Sequence, residues 1–239
     1  KDVAGFPGLF LSLVVLCFMS LLWALCFGMI SPVKVQAARV TWSRFHPGGL
    51  GMGRMVVGLS GFIFTRSFSI VLFTIFIPIF MYDRLKLTGV EMGIVMGAGT
   101  VITALLLRPM GILSDRLNRR WLVICGGSMT ALLTFCLPLA QSFGHLLSLS
   151  IAIGIFRVVS LPASSALLVH EGNLHGMGFS MGVFYGAMNF GTVLAPLAGG
   201  FALGFGGIET IFQGAAILGL IGIAFFCLCS WPVATLEKM

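Results

Sequence analysis

Seven predominantly apolar stretches of about 20 residues or more recur along the chain, near 7–30, 57–81, 90–112, 121–141, 146–168, 177–203 and 209–231. An α-helix needs about 20 residues to cross a bilayer core roughly 30 Å thick. A backbone in lipid must satisfy its own hydrogen bonds, which a helix does within one segment. The seven stretches are therefore predicted as transmembrane helices and the chain as an all-α integral membrane protein. Composition agrees, because only 9% of the residues are charged against about 25% in an average soluble domain.

The first stretch lacks both a basic leading region and a small-residue cleavage site, so it reads as a membrane helix and not as a signal peptide. With Lys1 in place of an initiator Met, the chain is expected to be an internal fragment of a longer protein. All six cysteines, Cys17, Cys26, Cys125, Cys136, Cys227 and Cys229, fall in predicted spans. An extracellular disulfide framework would place them in loops, so they read as small core residues. His46, His145, His170 and His175 fall in loops or at span ends, which leaves no mid-membrane pair for a haem iron. The His170, Glu171 and His175 group reads as solvated. No metal, no other cofactor and no enzymatic activity are expected.

The net charge of +7 sits in particular loops and not along one stripe, so it points to membrane topology and away from nucleic acid. With the 31–56 linker on the cytoplasmic side, nine of the 14 Lys and Arg residues collect inside: Lys34, Arg39, Arg44, Arg54, Arg108, Arg116, Arg119, Arg120 and Lys238. Only Lys1, Arg84 and Lys86 collect outside. By the positive-inside rule the first span enters from outside, and the linker, the GILSDRLNRR loop (111–120) and the C-terminus are cytoplasmic, in the cell (inner) membrane.

Two internal echoes stand out. GVEMGIVMGAG (89–99) and GMGFSMGVFYG (176–186) each contain M-G-x-x-M-G with glycine every fourth residue. That spacing puts Gly93 with Gly97, and Gly182 with Gly186, on single helical stripes, predicted as close-packing faces. IFTRSFS around Arg66 echoes IFRVVS around Arg157, each with a serine three residues after its arginine. Spans two to four and five to seven thus read as two copies of a three-helix unit. An odd number of spans makes the second copy cross in the opposite sense, a habit of secondary transporters.

GILSDRLNRR resembles the loop signature of the major facilitator superfamily, G-x-L-x-D-R-x-G-R-R, through Gly111, Leu113, Asp115, Arg116, Arg119 and Arg120. Asn118 replaces a glycine, and both tolerate a left-handed backbone. GTVLAPLAGG (191–200) resembles a second superfamily pattern, G-x-x-x-G-P-x-x-G-G, known from antiporter members; Gly191, Pro196, Gly199 and Gly200 match, and Ala195 departs. A third pattern, an arginine followed by Q-G, is only partly present, since Ser160 and Leu161 follow Arg157 instead.

The resemblance implies a six-helix half of a two-half transporter: a sixth helix at 1–30, a cytoplasmic basic linker at 31–56, the complete C-terminal six-helix half at 57–232 as two inverted three-helix repeats, and a cytoplasmic tail at 233–239. The rival register is an N-terminal half preceded by an extra helix. The implied function is secondary active transport of a small solute by alternating access, with the missing other half and the lipid bilayer as partners. The alternative is a transporter-derived scaffold or assembly partner that moves no solute itself. The resemblance also makes Gly111, Asp115, Arg116, Arg119 and Arg120 a cytoplasmic gating motif, with Asp115 touching a neighbouring helix N-terminus. Gly191 and Pro196 join the helix-packing set.

Arg66 and Arg157 lie well inside spans, where an arginine costs about 2.5 to 3.5 kcal/mol on insertion scales. They are candidate substrate residues, because a guanidinium in a watery cavity can hold a carboxylate or phosphate with two parallel bonds. The structural reading, arginines bonding backbone carbonyls or pairing with the missing half, stands beside it. Tyr185 and Asn189 are four apart on one stripe and are further candidates for substrate contact, with interhelical hydrogen bonding as the alternative.

Overall fold

The computed structural model describes residues 53–230 together with 14, 15, 17–20 and 22. The chain divides into two compact units, Lys1–Gly49 and Leu50–Met239. In the first, the described residues are helical. Most of the expected first helix, nearly all of the linker, and the tail lie outside the described residues.

In the second unit the described residues form α1 (Arg54–Leu85), α2 (Gly89–Arg116), α3 (Arg119–Cys136), a 3-10 turn (Leu137–Leu139), α4 (Phe143–His175) and α5 (Met177–Ser230). All five α-helices are long and apolar enough to cross a membrane, and no strand occurs among the described residues. α5 has 54 residues, about 81 Å at 1.5 Å per residue, far more than one bilayer crossing. Gly207 interrupts it with φ 74° and ψ −179°, a backbone region that essentially only glycine occupies. The two limbs, 177–206 and 208–230, correspond to the two spans expected there.

Local chemistry sets the helix ends. Thr88 and Glu91 form a reciprocal capping box at the start of α2, satisfying backbone donors that have no partner in the first turn. Asn118 does the same for α3: its side-chain oxygen accepts from the Arg120 N–H at 3.0 Å. Its φ of −66° and ψ of 110° correct the expectation of a left-handed backbone there; the residue is retained as a helix cap.

α1 packs along α5, α2 against α4, and α3 against both α4 and α5. Two apolar clusters stack along these helices. One includes Leu72, Phe76, Ile153 and Ala215; the other includes Phe62, Ile63, Ala163 and Ile223. α1, α4 and both limbs of α5 contribute to both. Arg66 falls between Ile63 and Leu72, and Arg157 between Ile153 and Ala163, so both arginines sit at the level where the clusters meet.

Of the glycines expected at close-packing faces, only Gly191 brings two backbones together, and Gly154 does so without having been expected. A Cβ on Gly154 would stand 2.5 Å from the Gly99 carbonyl oxygen, joining α4 to α2, and one on Gly191 would stand 2.5 Å from that of Phe64, joining α5 to α1. Nothing lies within 4 Å of a Cβ on Gly93, Gly97, Gly182 or Gly186. Their stripes therefore pack against nothing among the described residues. Pro196 is likewise exposed, and it is Gly199, against Leu72 and Phe76, that packs beside Gly191.

Candidate functional site

A cavity of about 60 Å³ opens between α1, α3, α4 and the second limb of α5, and Arg66 and Arg157 both line it. The serines three residues beyond each arginine, Ser69 and Ser160, line it too. The two sequence echoes thus converge on one site. Among the described residues no Asp or Glu lines this cavity.

The arginines are held differently. Arg66 Nη1 donates to Ser160 Oγ at 3.1 Å, and Nη2 donates to the Arg157 carbonyl oxygen at 3.2 Å. Its guanidinium also stands 6.0 Å from the centre of the Phe62 ring, within cation–π range. Arg66 therefore does part of what the structural reading expects, since it bonds a helix carbonyl. Arg157 does not: its buried Nε has no hydrogen-bond partner among the described residues. A buried donor left unmade is costly, and two like charges in one cavity without a carboxylate make an electrostatically positive hole.

The hydroxyls around the hole are committed to helix carbonyls. Thr130 donates to Gly126 O at 2.7 Å, Thr134 to Thr130 O at 2.8 Å, and Ser160 to Arg157 O at 3.2 Å. Ser69 reaches the carbonyls of Thr65 and Ala215, at 2.9 and 2.8 Å. The guanidinium N–H groups are accordingly the donors available to a guest. Thr130, Thr134 and Gly127 carry no sequence signal that marks them as cavity-lining; only the packing of α3 brings them here.

Tyr185 and Asn189 are elsewhere. Both are exposed on the first limb of α5, Tyr185 stacks edge-on against Phe184, and neither lines the arginine cavity. The structure thus brings two of the four candidate substrate residues together and leaves the other two on the open flank that carries Gly182 and Gly186.

At the loop between α2 and α3, Asp115 pairs with Arg119 at 3.3 Å, one turn on. Arg120 makes the contact between helices: its Nη1 donates to the Ser230 carbonyl at 3.4 Å, where a cation complements the C-terminal end of the α5 dipole. Asp115, expected to touch a neighbouring helix, is largely exposed and ion-paired within its own loop. Glu171, expected to be solvated, is 8% exposed and thus buried near the end of α4. Gly111 has open space around it, and Arg116 ends α2.

A bundle of apolar membrane-length helices with two arginines lining one cavity is the architecture of a membrane transporter. The profile of the Major Facilitator Superfamily matches residues 57–237, and the chain belongs to that family. Over 139 residues it is 24% identical to an uncharacterised MFS-type transporter of Methanocaldococcus jannaschii, covering 58% of this chain and 36% of that protein. Over 169 residues it is 26% identical to the multidrug resistance protein MdtG of Klebsiella pneumoniae, covering 68% of this chain and 40% of that protein. The chain thus spans well under half the length of these curated relatives.

Proposed function

We propose that this chain is the C-terminal half of a secondary transporter in the cell (inner) membrane, working by alternating access against an opposing half, and that its solute is a small anion held at Arg66 and Arg157. The observation that carries the solute reading is the positive cavity: two guanidinium groups, one with an unmade buried hydrogen bond, and, among the described residues, no carboxylate lining it. Burying that charge is sensible where a mobile anion compensates it. A cationic drug would be repelled there, so the name of the Klebsiella relative does not extend to this cavity. The opposing half is expected against the open stripes of α2 and of the first limb of α5, where Gly93, Gly97, Gly182 and Gly186 meet nothing and Tyr185 and Asn189 are exposed. Asp115 and the arginines of the GILSDRLNRR loop would gate the cycle on the cytoplasmic side.

Uptake of labelled anions and of a neutral sugar by the full-length protein in liposomes tests this. Anion uptake lost in Arg157→Ala is the expected result. Sugar uptake unaffected by Arg157→Ala would overturn the anion reading, and no uptake of any solute would favour a scaffold that moves none.

A further inference from the structure

The two three-helix copies match in packing as well as in sequence. The first helix of each packs on the second and third helices of the other: α1 on both limbs of α5, and α4 on α2 and α3. Gly222 of α5 presses on Thr65, the residue before Arg66, and Gly126 of α3 presses on the carbonyl of Phe156, the residue before Arg157. Arg66 and Arg157, with Ser69 and Ser160 three residues on, are therefore counterparts in space and not only in the text.

Their bonds break that symmetry. Arg66 reaches across to α4, donating to Ser160 Oγ and to the Arg157 carbonyl oxygen. The mirror contacts would run from Arg157 back to Ser69 Oγ and to the Arg66 carbonyl oxygen. Neither is made among the described residues, and Arg157 keeps a buried Nε without a partner. Ser69 is equipped to receive it. Like Ser160, it gives its hydrogen to helix carbonyls, here those of Thr65 and Ala215, and a hydroxyl that donates still has lone pairs with which to accept. Resting on the alternating-access reading, but not on the charge of the solute, we infer that Ser69 is the positioning residue for Arg157 in a second conformation of the bundle. In that conformation Arg157 donates to Ser69 Oγ and to the Arg66 carbonyl, and Arg66 leaves Ser160.

The exchange has the energetics a carrier needs, because a protein that works between two states must hold them close in free energy. Either state makes two charge-assisted bonds, one to a serine and one to a helix carbonyl, so neither is strongly favoured. The two guanidinium groups repel each other in their shared cavity, which opposes both reaching across at once.

The test is hydrogen–deuterium exchange of the full-length protein in lipid nanodiscs, read as the ratio of amide exchange rates at the Arg54 end of α1 to those at its Leu85 end. Ser69→Ala and Arg157→Gln each remove the second conformation's contact and should move the ratio in one direction by about fivefold or more, while Ser160→Ala, which weakens the conformation seen, should move it in the other. Ser69→Ala and Arg157→Gln combined should move it no further than either alone. Loss of the Ser69 bond to Ala215 by itself would speed exchange in the middle of α1 without setting its ends against each other. Ser69→Ala leaving the ratio unchanged, or moving it the same way as Ser160→Ala, would overturn the exchange and, where wild-type liposomes still take up the labelled anions or sugar, leave alternating access standing. Opposite shifts in a protein that takes up no solute would uphold the exchange and overturn the transport reading.

Discussion

The Arg66 guanidinium on α1 is bonded to the backbone carbonyl of Arg157 on α4 at 3.2 Å, so one arginine of the cavity is anchored on the very turn that carries the other. Arg66→Lys keeps the charge but cannot span Ser160 and the carbonyl with one planar group. It should cost about 1.5 to 3 kcal/mol, the worth of hydrogen bonds to a charged group. Ser160→Ala should cost less, and the two costs should not add, because both variants remove the same contact. Thermal midpoints of the two single variants and the double variant check this; strict additivity would contradict the shared bond.

Gly154→Ala should destabilise the protein by about 1 to 3 kcal/mol, since a new Cβ 2.5 Å from the Gly99 carbonyl oxygen forces α2 and α4 apart. Gly93→Ala meets nothing and removes a helix-interior glycine, so the bundle itself should be unharmed. Transport should nevertheless fall if the opposing half seats on that stripe. Unfolding midpoints together with liposome uptake separate these effects, and uptake at the wild-type rate in Gly93→Ala would count against that seating.

Asp115→Asn should leave insertion and stability nearly unchanged, because an exposed pair one helical turn apart is worth only about 0.3 to 0.5 kcal/mol. Uptake should drop by about fivefold or more, the scale of a conformational coupling of 1 kcal/mol. Membrane insertion measured beside initial uptake rates decides the matter, with unchanged uptake removing Asp115 from the gate.

Gly207→Ala should cost about 1 to 3 kcal/mol, because φ 74° with ψ −179° is a backbone region that side chains avoid. The loss should appear as a lower unfolding midpoint, and an unchanged midpoint would mean that the break between the limbs of α5 relaxes without strain.

At the neighbouring helix ends, Arg84 of α1 pairs with Glu209 of α5 in the open. Arg84→Gln should shift stability by less than about 1 kcal/mol, an effect that should vanish in 1 M salt, where screening reaches about 3 Å. Midpoints at low and high salt give the answer directly.

The helical class and the family were legible in the residues, because apolar length and the GILSDRLNRR spacing are one-dimensional properties. The arginine-and-serine echo around Arg66 and Arg157 survives as text and marked both residues, but that they meet in one cavity follows only from the packing of α1 on α4. The glycine stripes misled for a physical reason. Spacing places glycines on one face of a helix, but which face meets a partner depends on how the helix is rotated in the bundle. The packing of α2 on α4 chose Gly99 and left Gly93 and Gly97 open. Asn118 shows the same limit, since one letter fits a left-handed turn or a helix cap and only the backbone tells them apart. By itself the sequence determined that this chain spans a membrane as a facilitator-type helical bundle, because lipid imposes helix length and composition locally. Only the tertiary structure decided that Arg66 and Arg157 share a cavity and that Arg66 is bonded while Arg157 Nε is not, because both follow from the distances between four helices.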